Sequence, residues 1–118
     1  GLSARLIARR GTFEIAFVSG FSVAAARLAA PDAGLLSFGE VAEAARCIIE
    51  AARGTQVAAQ PALIVDGDTG YGGPLNCRRT VEAFARMGYA GVLIEDQEWP
   101  KSCGHVGPKR VVPRDEAV

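Results

Sequence analysis

Ala62-Leu63-Ile64-Val65-Asp66-Gly67-Asp68-Thr69-Gly70-Tyr71-Gly72-Gly73-Pro74 sets four apolar residues directly against an acidic, glycine-rich turn. A short, wholly apolar run bounded by turn residues reads as a strand buried on both faces, the kind found in parallel sheets. Behind it, Cys77, Val81, Phe84 and Ala85 recur at helical spacing up to a stop at Gly88. Ala90-Gly91-Val92-Leu93-Ile94 is a second buried strand, and it too ends in acids, Glu95 and Asp96. Upstream, Phe13-Glu14-Ile15-Ala16-Phe17-Val18 is a β-prone run that passes through Ser19-Gly20-Phe21-Ser22 into a short helix over 23–29. Pro31-Asp32-Ala33-Gly34 breaks that helix.

The remaining segments are helical. Ser37 and Glu40 fit a capping box ahead of Val41, Ala44, Ala45, Ile48, Ile49 and Ala52, one broad apolar stripe. Gly54 ends it, and residues 55–61 read as a loop. Leu2, Leu6 and Ile7 share one face of an opening helix stopped by Gly11, and Val112 to Glu116 begins a last helix. Two helix-to-strand junctions resemble each other, Arg10-Gly11-Thr12-Phe13 and Met87-Gly88-Tyr89-Ala90. The order α-β-α-α-β-α-β-(α) predicts an α/β fold with a parallel sheet, doubly wound or barrel. Three strands are too few for a closed (β/α)8 barrel of roughly 250 residues. They also leave two apolar sheet edges bare. The expectation is a partial (β/α)8 barrel, about three βα units, with residues 1–118 a fragment of one larger barrel domain.

Composition narrows the class. The 118 residues are 49% hydrophobic and 22% charged, as in ordinary globular domains and unlike disordered tails. Thirteen basic residues balance thirteen acidic ones, which argues against a nucleic-acid partner. No apolar run approaches a membrane span. Three widely spaced Cys make no closed disulfide framework and point to a reducing, intracellular compartment, chloroplast or cytoplasm.

Polar residues gather directly after the apolar runs: Ser19 and Gly20, then Asp66 and Asp68, then Glu95. Active sites of parallel α/β folds lie at those carboxyl ends. Asp66 and Asp68, two apart in extended chain, point the same way, with Glu95 beside them on the next strand. Three converging carboxylates repel unless a cation joins them, and Mg2+ suits this donor set. A solvated Asp-Gly turn is the plainer alternative for the aspartates. An EF-hand loop starting at Asp66 fails because its twelfth position is Cys77, and the Walker lysine motif is absent. A zinc site is disfavoured, since Cys47 falls on a helix stripe and Cys77 faces a helix core.

Lys101, Cys103 and His105 alternate, so an extended loop shows all three on one side, with Gly104 allowing close approach. A thiol beside Lys and His is a candidate proton donor or nucleophile; an incidental loop cysteine is the alternative. The Ser19-Gly20-Phe21-Ser22 segment offers either an anion pocket of free N–H groups or a plain helix cap. Asp32 is either a supporting carboxylate or a turn residue.

Asp66-Gly67-Asp68-Thr69-Gly70-Tyr71-Gly72, Ile94-Glu95-Asp96-Gln97 and Pro100-Lys101-Ser102-Cys103-Gly104-His105 together resemble the signature of the isocitrate lyase/phosphoenolpyruvate mutase superfamily. Ser19-Gly20 and Pro31-Asp32-Ala33-Gly34 are similar to its earlier motifs, and the likeness spans nearly the whole chain. The most similar branch is the carboxyvinyl-carboxyphosphonate phosphorylmutases, with methylisocitrate lyases and oxaloacetate decarboxylases also alike. The resemblance implies a (β/α)8 barrel, commonly tetrameric, using Mg2+ or Mn2+ on a small carboxylic acid that is, or yields, a 2-oxo acid. It places Asp66, Asp68 and Glu95 at the metal, Asp68 as the direct ligand, and Asp32 on metal-bound water. Ser19, Gly20, Phe21 and Gly104 fall on the substrate, and Cys103 falls on the catalytic acid, with Lys101 and His105 around it. The Lys-x-Cys-Gly-His loop favours a lyase cleaving a C–C bond next to a 2-oxo or 2-hydroxy acid through a metal-stabilised enolate. The alternatives are a phosphonomutase, an oxaloacetate decarboxylase or a non-catalytic binding fragment. Two departures stand out: Phe17 replaces a frequent Tyr, and the span between Asp32 and Asp66 is longer than usual. The first strand and the C-terminal half of such a barrel are not among these residues, so the chain alone is expected to be inactive.

Overall fold

The computed structural model describes residues 1–54, 60–103 and 107–117. In chain order the elements are α1 (Leu2–Arg10), β1 (Ile15–Val18), α2 (Gly20–Leu28), α3 (Phe38–Arg53), β2 (Ala62–Asp66), α4 (Pro74–Met87), β3 (Gly91–Leu93) and α5 (Arg114–Ala117). The expected order of helices and strands is the observed one. The strands form a three-stranded sheet, β1-β2-β3, parallel throughout. Parallel neighbours need crossovers, and α2–α3 and α4 supply them.

Register decides the faces. Ala16 pairs with Leu63, Val18 with Val65, and Val65 with Val92. These side chains pack under the helices, against Val41, Ala45, Ile49, Ala52 and Phe84. Ile15, Phe17 and Leu93 lie at the alternate positions, 60%, 51% and 51% exposed. The strands are therefore apolar on both faces but covered on one only, because every crossover helix lies on the same side.

Local chemistry ends each helix. Ser37 and Glu40 form the complete capping box of α3. Gly11 and Gly88 close α1 and α4 in the left-handed region, at φ 66 and 90, which explains why the two junctions look alike. Arg53 donates to the carbonyls of Met87 and Gly88 at 3.0 and 2.9 Å, tying the end of α3 to the end of α4.

Three expectations change. Leu2 and Leu6 are exposed, because α1 seats Ala4 and Ala8 on the core instead. Small residues at i and i+4 let it lie close on α3. Cys47 is exposed rather than on the α3 stripe; one residue from Ile48 is a rotation of roughly 100°. Helix α2 starts at Gly20 with Ser19 as its N-cap, three residues earlier than the apolar content indicates. Residues 55–59 of the expected loop, together with Gly104 and His105, lie outside the described residues.

Candidate active site

The site grows from the end of β2. Asp66 is its last residue, and both carboxylate oxygens accept backbone N–H groups. Oδ2 takes the N–H of Gly20 at 2.9 Å, and Oδ1 takes that of Asp68 at 3.0 Å. Asp66 thereby locks the start of α2 to the end of β2. Glycine suits this position, since a Cβ on Gly20 would stand 2.9 Å from Asp66 Oδ2 and force that carboxylate to shift. The first donor of the expected anion pocket is therefore spent on Asp66.

Asp68 sits in the left-handed region at φ 54, which Asp tolerates better than bulkier residues. Its carbonyl accepts the N–H of Glu95 at 2.8 Å, bringing the third strand end alongside. Its carboxylate turns to Lys101, whose Nζ lies 2.9 Å from Oδ1 of Asp68 and 2.9 Å from Oδ1 of Asp32. Three of the expected site residues thus meet directly, Asp32 and Asp68 bridged by the Lys101 ammonium, with Asp66 and Glu95 tied to Asp68 through its backbone. Burial works against the Lys101 charge, but Asp32 and Asp68 outweigh it and hold the group above the usual lysine range. Burial pushes the Asp68 carboxyl up, with Lys101 pulling the other way and Asp32 and Asp66 adding repulsion. Burial and the same three aspartates raise the Tyr71 phenol above its ordinary range.

A cleft of about 420 Å³ opens beside this cluster, lined by Ser19, Phe21, Asp32, Glu95, Lys101 and Cys103. Cys103 is half-buried there. Asp68 opens instead on a neighbouring cleft walled by Phe38, Tyr71 and Trp99. Gln97, Ser102 and Lys109 complete the first cleft; Gln97 and Ser102 stand within the quoted motifs without an assigned role, and Lys109 lies outside them. Buried Gln97 donates to Glu95 and accepts the N–H of Ser102, tying the carboxylate to the loop. Lys109 comes within 3.9 Å of Glu95. It arrives because the chain doubles back: Gln97 bridges Val111 antiparallel, and Glu98 and Val112 bond Arg110 and Asp96 through backbone. Gln97 also stands two residues after Glu95, which in extended chain sets both on one side, whereas Lys109 has no sequence signal.

Among the described residues, no three His, Cys, Asp or Glu side chains gather round one point as a ready metal cage. The donor chemistry nonetheless fits a hard divalent ion. Asp32, Asp66, Asp68 and Glu95 face Lys101 and Lys109, leaving two negative charges in excess. Three of the four already lie against an ammonium, Asp32 and Asp68 on Lys101 and Glu95 on Lys109. Mg2+ needs only one or two carboxylates, with water and substrate completing its shell.

Residues 1–118 match the phosphoenolpyruvate phosphomutase family. The petal death protein of Dianthus caryophyllus is 50% identical over 115 residues, 98% of this chain and 34% of that protein. The chloroplastic carboxyvinyl-carboxyphosphonate phosphorylmutase of Arabidopsis thaliana is 41% identical over 115 residues, 98% of this chain and 32% of that one. The chain thus spans about a third of the length of these curated relatives. An oxaloacetate acetylhydrolase structure with 3,3-difluorooxalacetate matches with a TM-score of 0.82 at 40% identity, over 98% of this chain and 37% of that one. A phosphonopyruvate hydrolase structure with oxalate and Mg2+ matches at 0.76 and 29% identity, over 98% and 36%. The three parallel strands and their helices are accordingly part of a TIM-barrel-like fold. By its sequence and its fold, the chain belongs to the phosphoenolpyruvate phosphomutase family, in the superfamily that includes isocitrate lyase.

Proposed function

We propose that the full-length protein is a lyase, cleaving a C–C bond next to a 2-oxo or 2-hydroxy acid with Mg2+ or Mn2+ as cofactor. One observation carries this reading: a single cleft receives Ser19, Asp32, Glu95, Lys101 and a half-buried thiol, Cys103. Of the named relatives, an oxaloacetate acetylhydrolase was solved with 3,3-difluorooxalacetate and a phosphonopyruvate hydrolase with oxalate and Mg2+. Asp68 would hold the metal directly, Asp32 through water, with Asp66 and Glu95 supporting. Such an ion supplies Lewis-acid stabilisation of the negative charge that develops when the bond breaks.

The chain's own groups do the rest. Ser19 and Phe21 line the cleft where the substrate carboxylate would bind, with Gly20 fixing their position through Asp66. Cys103, which lines the cleft, would deliver a proton to the carbon left by the departing fragment. Lys101 would balance charge, and Gly104 and His105, which follow Cys103 in the sequence, would assist in binding substrate and in charge balance. A phosphonomutase is the second reading, favoured by the 41% identity to a phosphorylmutase. A homotetramer and an intracellular, reducing location belong to the same proposal; among the described residues no helix is long and apolar enough to cross a membrane.

The test is the full-length protein against isocitrate, methylisocitrate, oxaloacetate and phosphonopyruvate, with and without chelator, reading 2-oxo-acid product from the first three and phosphoenolpyruvate from the last. Chelator-sensitive release from a C–C-cleaved substrate, lost in Cys103→Ser, is expected. Conversion of phosphonopyruvate alone to phosphoenolpyruvate, unaffected by Cys103→Ser, would replace lyase with mutase chemistry.

A further inference from the structure

We infer that Thr80 is a positioning residue of the site: its hydroxyl, on α4, fixes the glycine-rich turn after β2 and so sets where Asp68 presents its carboxylate. This rests on the metal-dependent reading above. Asp68, Gly70, Tyr71 and Gly72 have φ of 54, 86, 61 and 144. Left-handed backbone at the two non-glycine residues, Asp68 and Tyr71, is strained and persists only where the surroundings hold it. On the β3 side the hold is made by backbone. Gly67 donates to the carbonyl of Leu93 at 2.8 Å, and the carbonyl of Asp68 accepts from Glu95 at 2.8 Å. On the α4 side it is made by a side chain. Thr80 is 1% exposed, and its hydroxyl donates to the carbonyl of Gly70 at 3.0 Å.

A threonine inside a helix commonly turns its hydroxyl back to a carbonyl of its own helix or out to water. Thr80 does neither and reaches across to the turn. Gly70 is buried, and among the described residues Thr80 is the donor that meets its carbonyl. A buried carbonyl left without a donor is costly, so loss of the hydroxyl drives that peptide to seek another partner. Gly70 cannot move towards the helix, because its backbone already rests on α4: a Cβ there would stand 2.7 Å from Cys77 Cβ. Relaxation therefore takes the turn away from α4, and Asp68, two residues earlier, moves with it. Thr80 touches none of the four acids and acts through the backbone that carries one of them. Mg2+ demands near-ideal octahedral geometry, so a displaced carboxylate binds it less well. Groups that orient a metal's ligands typically matter about 10- to 100-fold in affinity or activity.

The experiment titrates Mn2+ into the full-length protein by calorimetry, well below the unfolding temperature, comparing wild type with Thr80→Val, Thr80→Ser and Arg53→Ala. Valine keeps the shape and removes the hydroxyl, and serine keeps the hydroxyl. Alanine at Arg53 breaks a tie between helix ends and serves as the control for a general loss of stability. Thr80→Val is expected to weaken Mn2+ binding about tenfold or more, with Thr80→Ser and Arg53→Ala within about threefold of wild type. Binding by Thr80→Val as tight as that of wild type overturns the inference while leaving the metal reading intact. So does an equal weakening in Thr80→Ser or Arg53→Ala. Failure of the wild type to bind Mn2+ at all overturns both. A second measurement needs no variant: hydrogen exchange of the wild type with and without Mg2+, read by mass spectrometry. Metal that fixes Asp68 is expected to slow exchange several-fold in the turn over 67–73 and in α4 around Thr80 together, since coupling between two places is reciprocal. Exchange in α4 that Mg2+ leaves unchanged overturns the coupling, whatever the variants do.

Discussion

Gly20 shows how much of the site hangs on single atoms. Its N–H binds Asp66 and its missing side chain lets α2 approach. Gly20→Ala is expected to cost about 1–3 kcal/mol, as overpacking does. Thermal denaturation and kcat/KM should fall together, because the added methyl meets a carboxylate of the site; an unchanged melting temperature would show that α2 shifts freely. At this scale the acids were legible in advance, because Asp66, Asp68 and Glu95 follow apolar strand runs and strand ends carry the chemistry. The pairing of Lys101 with Asp32 and Asp68 was not. It joins residues from three loops, and no local pattern says which carboxylate an ammonium will choose. Lys109 was hidden for the same reason.

Helices were legible where side-chain chemistry is local. The capping box of Ser37 and Glu40 and the glycine stops at Gly11 and Gly88 depend only on near neighbours. The face of α1 was not, since its partner is α3 and small residues decided the contact over larger ones. The tie from Arg53 to the end of α4 is likewise a feature of two elements meeting. Arg53→Ala is expected to lower stability by about 1 kcal/mol, the net worth of exposed hydrogen bonds. Urea unfolding should register this while kcat stays at the wild-type value, because the tie lies at the strands' amino-terminal side, away from the cleft.

At the scale of the molecule, alternation of apolar strands and helices was enough to predict a parallel α/β sheet and a piece of a barrel. Which sheet face is covered depends on the placement of all the helices at once. Tyr89 reports on the covered side: its hydroxyl donates to the carbonyl of Ala45 at 2.8 Å, and burial pushes its phenol from 10.0 up to about 12. The unfolded chain then loses this proton first as pH rises. The stabilisation is complete below about pH 10 and disappears towards pH 12, a change of about 2–3 kcal/mol. Tyr89→Phe should show a shallower alkaline loss of stability than wild type when both are unfolded by urea from pH 9 to 12. Identical slopes would mean that Tyr89 ionises as freely folded as unfolded.

The account turns on strand-end carboxylates serving one metal-dependent reaction, and Asp68→Asn tests it most directly. Asparagine keeps the shape and tolerates the left-handed backbone at φ 54, but removes the charge. With the best substrate of the panel and saturating Mg2+, kcat/KM of the full-length variant is predicted to fall by about two to three orders of magnitude in a protein that still folds. Turnover within threefold of wild type, still sensitive to chelator, would contradict the placement of the reaction at this cluster.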